Sequence, residues 1–127
     1  MGRHAGLPPQ ARLRRAADFA ALRDGAGRMD TRYFLIRYRE GGTAKSRLGL
    51  AISRRVSKSA VQRNRIKRLT RESFRRARKD MPPWDVLVIA RTRAADIENT
   101  ILRAELDRIW LRLQALKRER APGTITD

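Results

Sequence analysis

Cysteine is absent from this chain and histidine occurs once, as His4. The lack of thiols excludes disulfide frameworks, thiolate zinc sites and cysteine nucleophiles together. A lone histidine near the N-terminus offers no cluster for metal binding or acid–base work and reads as a solvated tail residue. Long apolar runs are missing too: the longest, Val86 to Ala90, falls far short of the roughly 20 residues a membrane-spanning helix needs. No apolar signal segment opens the chain, so a cytoplasmic location without membrane contact is expected. Acidic residues are scarce, 13 Asp and Glu against 31 Lys and Arg in 127 residues, a formal net charge of +18. Solubility alone is served by a net charge of roughly 2 to 8, so the surplus points to a polyanionic partner, nucleic acid before any other.

The acids that exist are scattered from Asp18 to Asp127, with no paired-carboxylate arrangement. Glu105 and Asp107 stand two apart on different sides of an expected helix, where they read as solvated partners of Arg103, Arg108 or Arg112. No catalytic residue and no metal ligand is assigned.

What is present reads as one domain. Residues 1–10, with Gly2, Gly6, Pro8 and Pro9, form an expected extended or mobile lead-in; residues 11–120 form the domain; residues 121–127 form a frayed tail. Leu13, Ala16, Ala17, Phe19, Ala20, Ala21 and Leu22 suggest a short helix that stops near Gly25 and Gly27. From Arg32 the pattern alternates, with Phe34, Ile36 and Tyr38 on one side and Tyr33, Leu35, Arg37 and Arg39 on the other, which is strand periodicity. A second strand spans about Arg47 to Ser53, where Leu48, Leu50 and Ile52 oppose Arg47, Gly49, Ala51 and Ser53. The small residues Gly49, Ala51 and Ser53 leave a shallow floor bordered by Tyr33, Arg37 and Arg39. Such a floor suits single-stranded nucleic acid; it equally suits the underside of a covering helix.

A helix is expected over residues 60–79. At 100° per residue, Gln62, Ile66, Leu69, Thr70, Ser73, Phe74 and Ala77 cluster on one side, and Asn64, Lys67, Arg68, Arg71, Arg75, Arg78 and Lys79 on the other. Met81-Pro82-Pro83 ends it, the apolar run Val86 to Ala90 makes a central strand, and Leu102, Leu106, Ile109, Leu113 and Leu116 mark a final core helix over residues 99–118. The order is αββαβα, an α+β fold with a small mixed sheet and packed helices. If the second and third strands are parallel neighbours, the general rule makes their crossover right-handed.

The segment from Arg54 to Lys79 is dense in cations, with Glu72 its one acid. A charge run usually means a solvated face, yet this run carries an apolar stripe in register, so the helix is docked and its like charges call for phosphates. An A-form major groove is too deep and narrow for a helix to read, so an RNA-binding helix grips backbone and irregular junctions. A DNA reader would show a helix-turn-helix, zinc or dimerisation module, and none is visible.

The run Ser57-Lys58-Ser59-Ala60-Val61-Gln62-Arg63-Asn64-Arg65-Ile66-Lys67-Arg68-Leu69-Thr70-Arg71-Glu72-Ser73-Phe74-Arg75 resembles the signature of the bacterial ribonuclease P protein family. It follows a Gly-Leu-Ala-Ile-Ser strand at 49–53 and precedes Asp85-Val86-Leu87-Val88-Ile89-Ala90-Arg91, and the likeness spans roughly residues 13–116. The resemblance implies a fold akin to domain two of ribosomal protein S5, with a left-handed βαβ crossover in place of the right-handed one. It also implies a protein subunit of an RNA enzyme that removes the 5′ leader of precursor tRNA. Arg54, Arg55, Lys58, Arg63, Asn64, Arg65, Lys67, Arg68, Arg71 and Arg75 would bind the catalytic RNA subunit. Phe19, Tyr33, Arg37, Gly49, Ala51 and Ser53 would line the cleft for the leader, unless Phe19 is simply core. The RNA would carry the active site and hold most of the required Mg²⁺, with no cofactor bound by protein ligands alone. Its partners would be the ribonuclease P RNA and precursor tRNA, with no stable protein partner. The chain departs from the family where aromatics often stand: it has Arg23 and Arg37, which shifts leader binding from stacking toward charge. Composition alone would also suit a ribosomal protein or RNA chaperone, whereas a protein-only nuclease lacks its acidic cluster.

Overall fold

The computed structural model describes residues 7–24 and 26–119, with side chains through residue 116. His4, the rest of residues 1–6, and the tail at 121–127 lie outside the described residues. The chain runs through α1 (Ala16–Arg23), β1 (Gly27–Asp30), β2 (Phe34–Glu40), β3 (Arg47–Ala51), α2 (Ala60–Ala77), β4 (Trp84–Ala90) and α3 (Asn99–Glu119). Short 3-10 turns occupy Pro9–Ala11, Arg78–Asp80 and Thr92–Asp96. The sheet order is β1-β2-β4-β3, with β3 parallel to β4 and the other pairs antiparallel. This is the expected α+β fold with a mixed sheet.

The expected order αββαβα lacked one strand. β1, Gly-Arg-Met-Asp, has one apolar residue and therefore no alternation to count. It forms by pairing with β2, which sets Met29 opposite Ile36 and adds Met29 to the core. The expected mobile lead-in also differs from the structure at residues 7–10. Pro9 pre-sets a 3-10 turn, Leu7 is buried, and Arg12 bridges to Leu48 at the β3 edge.

β4 is inside on both faces, as its unbroken apolar run implied. On one face Phe34, Ile36, Val86, Val88 and Leu48 join Ile66, Leu69 and Phe74 of α2 and Leu102, Leu106, Ile109, Trp110 and Leu113 of α3 in the main core. The opposite face holds a much smaller cluster, Leu13, Leu22 and Leu87, with Phe19, Ala26 and Ile89 half-buried against it. Thus α2 and α3 cover one side of the sheet, and the short α1 covers part of the other.

Ser59 caps α2, its hydroxyl accepting from the Gln62 N–H. Burying a large apolar side chain such as Ile66, Leu69 or Phe74 contributes about 1.5 to 3 kcal/mol. A like-charge neighbour pair on the helix surface costs about 0.2 to 0.5 kcal/mol, so docking outweighs repulsion. Phe74 meets Trp110 edge to face at 5.4 Å, and the Trp110 indole N–H donates to Ser73 Oγ at 2.7 Å.

Glu105 is not the solvated surface partner expected of it, whereas Asp107 is exposed as expected but meets a serine. Glu105 is buried and accepts from Thr31 Oγ1 at 2.6 Å and from the Tyr33 N–H at 2.8 Å, so α3 holds the β1–β2 turn. Asp107 accepts from Ser73 Oγ at 3.0 Å, tying α3 to α2.

A charge pair between half-buried Arg47 and buried Asp85 braces the α1 side of the sheet. Arg47 of β3 donates to both oxygens of Asp85 on β4, at 2.9 and 2.7 Å, and lies 3.8 Å from Asp18 of α1. The hydrogen bond it donates to Asp85 raises the Arg47 pKa above its ordinary value against the opposing pull of burial. Removing one partner of such a pair strands the other. Arg47→Ala is therefore expected to lower unfolding stability by about 3 kcal/mol, read as a lower urea midpoint with an unchanged slope.

Candidate nucleic-acid interface

The docked stripe of α2 dictates where its cations go. With Ile66, Leu69, Thr70, Ser73 and Phe74 turned inward, Asn64 and Arg68 are exposed, and Lys67, Arg71 and Arg75 emerge half-buried beside them. Arg54, Arg55 and Lys58 stand exposed on the segment leading into the helix. Among the described residues, no salt bridge involves any of these side chains. The Nε of Arg75 is buried without a hydrogen-bond partner among them.

Two cations of this set are occupied within the fold. The Arg63 guanidinium donates to the Ser57 and Lys58 carbonyls at 2.9 and 3.0 Å, closing the loop before α2. Arg65 donates through Nε to Gln62 Oε1 at 2.8 Å, and through its terminal nitrogens to the Ala95 and Ile97 carbonyls at 3.1 and 3.2 Å and to Asn99 Oδ1 at 2.5 Å. It staples α2 to the segment that opens α3. Helical spacing places Arg65 on the flank of α2 but says nothing of the distant carbonyls that meet it.

On the other side of the sheet, Phe19 lies over Gly49, where a Cβ would come within 2.8 Å of the ring. Within the small-residue floor, Gly49 is covered by Phe19 and Leu13, whereas Ala51 and Ser53 are exposed. Arg37 shares this face but donates to the Ala26 and Gly27 carbonyls at 2.8 and 3.2 Å, pinning the α1–β1 connection. Tyr33 does not join the group. The bend before β2 breaks the alternation, its N–H is held by Glu105, and the residue packs against the main core under α3.

Phe19 and Gly49 border a cavity of about 320 Å³ at the β3 edge that also receives Arg12, Arg14, Lys67 and Arg71. Burial, and then the charge of Arg12, pull the Arg71 pKa below its ordinary value. Like charges converging in a half-enclosed space favour an anion there. Arg12 and Arg14 were not among the expected site residues. Their only signal in the sequence is charge near a helix start, and the chain crossing that brings them to Lys67 and Arg71 is tertiary.

Among the described residues no group of three or more His, Asp or Glu side chains could hold a metal ion. No described helix is long and apolar enough to cross a membrane.

Residues 7–114 match the sequence family described as Ribonuclease P. The chain belongs to the ribonuclease P protein family. It is 42% identical over 103 residues to the ribonuclease P protein component of Pseudomonas aeruginosa, covering 80% of this chain and 76% of that protein. The corresponding protein of Thioalkalivibrio sulfidiphilus is 38% identical over 108 residues, 85% of this chain and 90% of the relative. In structure, the Staphylococcus aureus RNase P protein superposes with a TM-score of 0.75 at 28% identity, covering 80% of this chain and 93% of that one. The Thermotoga maritima RNase P protein gives 0.71 at 30% identity, with 80% and 96% covered. The ribonuclease P signature thus falls on α2, where it combines an outward cationic face with two internal staples. The two roles separate by stability. Arg65→Ala strands its carbonyl partners and should cost about 1 to 3 kcal/mol in urea unfolding, whereas Arg68→Ala should stay within about 0.5 kcal/mol of the parent.

Proposed function

We propose that this chain is the RNA-gripping subunit of a ribonuclease P ribonucleoprotein that assists 5′ maturation of tRNA. The outward face of α2, with Asn64, Lys67, Arg68, Arg71 and Arg75, meets the catalytic RNA, joined by Arg54, Arg55 and Lys58. The α1 face of the sheet, at Phe19, Gly49, Ala51 and Ser53, takes the single-stranded leader of precursor tRNA. Arg63 and Arg65 shape the first surface, and Arg37 shapes the second.

The observation that carries the reading is the docking of α2: the helix is anchored by its apolar stripe and offers cations that no described acid pairs. Such a face favours phosphates, whose capture releases condensed counterions. A rigid helix cannot enter the A-form major groove, which favours backbone and junctions of a folded RNA. Phe19 supplies an aromatic surface for an unstacked base beside Arg12 and Arg14, the combination that single strands use.

The chemistry falls to the RNA. Phosphodiester hydrolysis by metal ions needs carboxylate or phosphate ligands, and the described residues offer no acidic cluster. In this reading Mg²⁺ is held mainly by RNA, the chain alone is inactive, and it works in the cytoplasm with ribonuclease P RNA and precursor tRNA.

The test is reconstitution at low magnesium. Added to a bacterial ribonuclease P RNA, the purified chain should stimulate 5′ cleavage of precursor tRNA and cleave nothing alone. No stimulation, or cleavage without RNA, contradicts the proposal. Phe19→Ala should weaken precursor binding about tenfold, the weight of one stacked base, and leave affinity for tRNA without a leader unchanged.

A further inference from the structure

Leu102, Leu106, Ile109 and Leu113 bury one face of α3, which turns the opposite face to solvent. Three large apolar side chains stand exposed among the described residues, and two of them lie on that outer face: Ile101 at 46% and Leu111 at 62%. Ala104 and Arg108 are exposed between them, and half-buried Ala115 follows. Positions 101, 104, 108, 111 and 115 step alternately by three and four residues, so they share about 80° of arc and make one stripe along the outside of α3. The same spacing forms the seam between two paired helices.

The stripe complements itself when turned end for end about a two-fold axis level with Asp107 and Arg108. Leu111 then meets Ala104 of the second copy, and Ile101 meets Ala115 of the second copy, a large side chain against a small one each time. Beside the axis, the exposed Asp107 of each copy reaches Arg108 of the other. Arg108 has no ion pair among the described residues, and Ser73 engages one oxygen of Asp107. A parallel pairing loses this fit. It would set Arg108 against its own copy in the middle of the seam, where like charges brought together are costly.

We propose that the outer face of α3 is a self-association surface on which a second copy of this chain docks antiparallel, as a two-fold dimer. In such an isologous contact every favourable pair occurs twice. Against it stands the repulsion of two chains of +18 each, and a single helix pair offers less area than the roughly 1,200 Å² at which standard interfaces begin. The dimer is therefore weak and forms where salt screens the net charge or RNA phosphates neutralise it. Salt then acts in opposite directions on the two kinds of association, weakening RNA capture and strengthening the pairing of copies. The stripe uses no residue of either proposed RNA surface.

The test is sedimentation equilibrium of the purified full chain at low and at high salt. The chain should show a monomer–dimer equilibrium whose dimer fraction rises with salt. Leu111→Gln, at an exposed position, should keep the urea midpoint and the affinity for the RNA subunit while weakening the dimer about tenfold or more. Because the chain has no cysteine, orientation can be read separately. Chains carrying Ala104→Cys and Leu111→Cys are mixed and oxidised with copper–phenanthroline; the former is heavier than the parent and the latter lighter, so mass tells mixed from like pairs. The mixed disulfide should predominate. A parent that stays monomeric throughout, a dimer that Leu111→Gln leaves intact, or a variant that binds the RNA subunit less well each overturns the proposal. So does an oxidation that yields mainly like pairs or no disulfide.

Discussion

The docking of α2 by Ile66, Leu69 and Phe74 onto the sheet and α3 is the interaction on which the rest depends. A helix so rich in arginine repels itself, and its burial against Trp110 and the strands holds it in place. That same docking sets the rotation of the helix and so chooses which cations face outward. Arg65 then fixes the flank through carbonyls of the segment opening α3. Charge display and fold stability are separate jobs, assigned to residues only a few positions apart in one motif.

The sheet divides the labour a second time. One face is fully covered and supplies the main core; the other carries the short α1 and leaves Ala51 and Ser53 open. Asp18, Arg47 and Asp85 brace α1 against the strands, and Arg37 secures the connection that follows it. Half-covered apolar surface with converging arginines on its margins results. Such surface is unsuited to solvent alone and suited to a flexible polyanion with flat bases.

Periodicity made most of this fold legible, because α2, α3, β2 and β4 each bury a face large enough to impose a pattern. β1 escaped because four residues with one apolar position carry no pattern, and its existence follows from its partner. Tyr33 was displaced from the cleft by a bend stabilised from α3, an effect of a residue far along the chain. In the candidate site, charge and motif located α2 as a surface but could not distinguish Arg65 from Arg68. That distinction lies in which carbonyls happen to be near. Arg12 and Arg14 were invisible for the same reason, since a chain crossing and not a sequence spacing brings them to Arg71.

On the proposed function, two faces of one small domain hold two different RNAs. Ultraviolet crosslinking of the reconstituted particle, with the RNA subunit and the leader labelled separately and the crosslinked peptides identified by mass spectrometry, tests it most directly. Crosslinks from the RNA subunit should map to the α2 surface around Asn64 and Arg68, and those from the leader to Phe19 and the β3 region around Gly49 and Ala51. Leader crosslinks concentrated on α2, or RNA-subunit crosslinks concentrated on the α1 face, would contradict it.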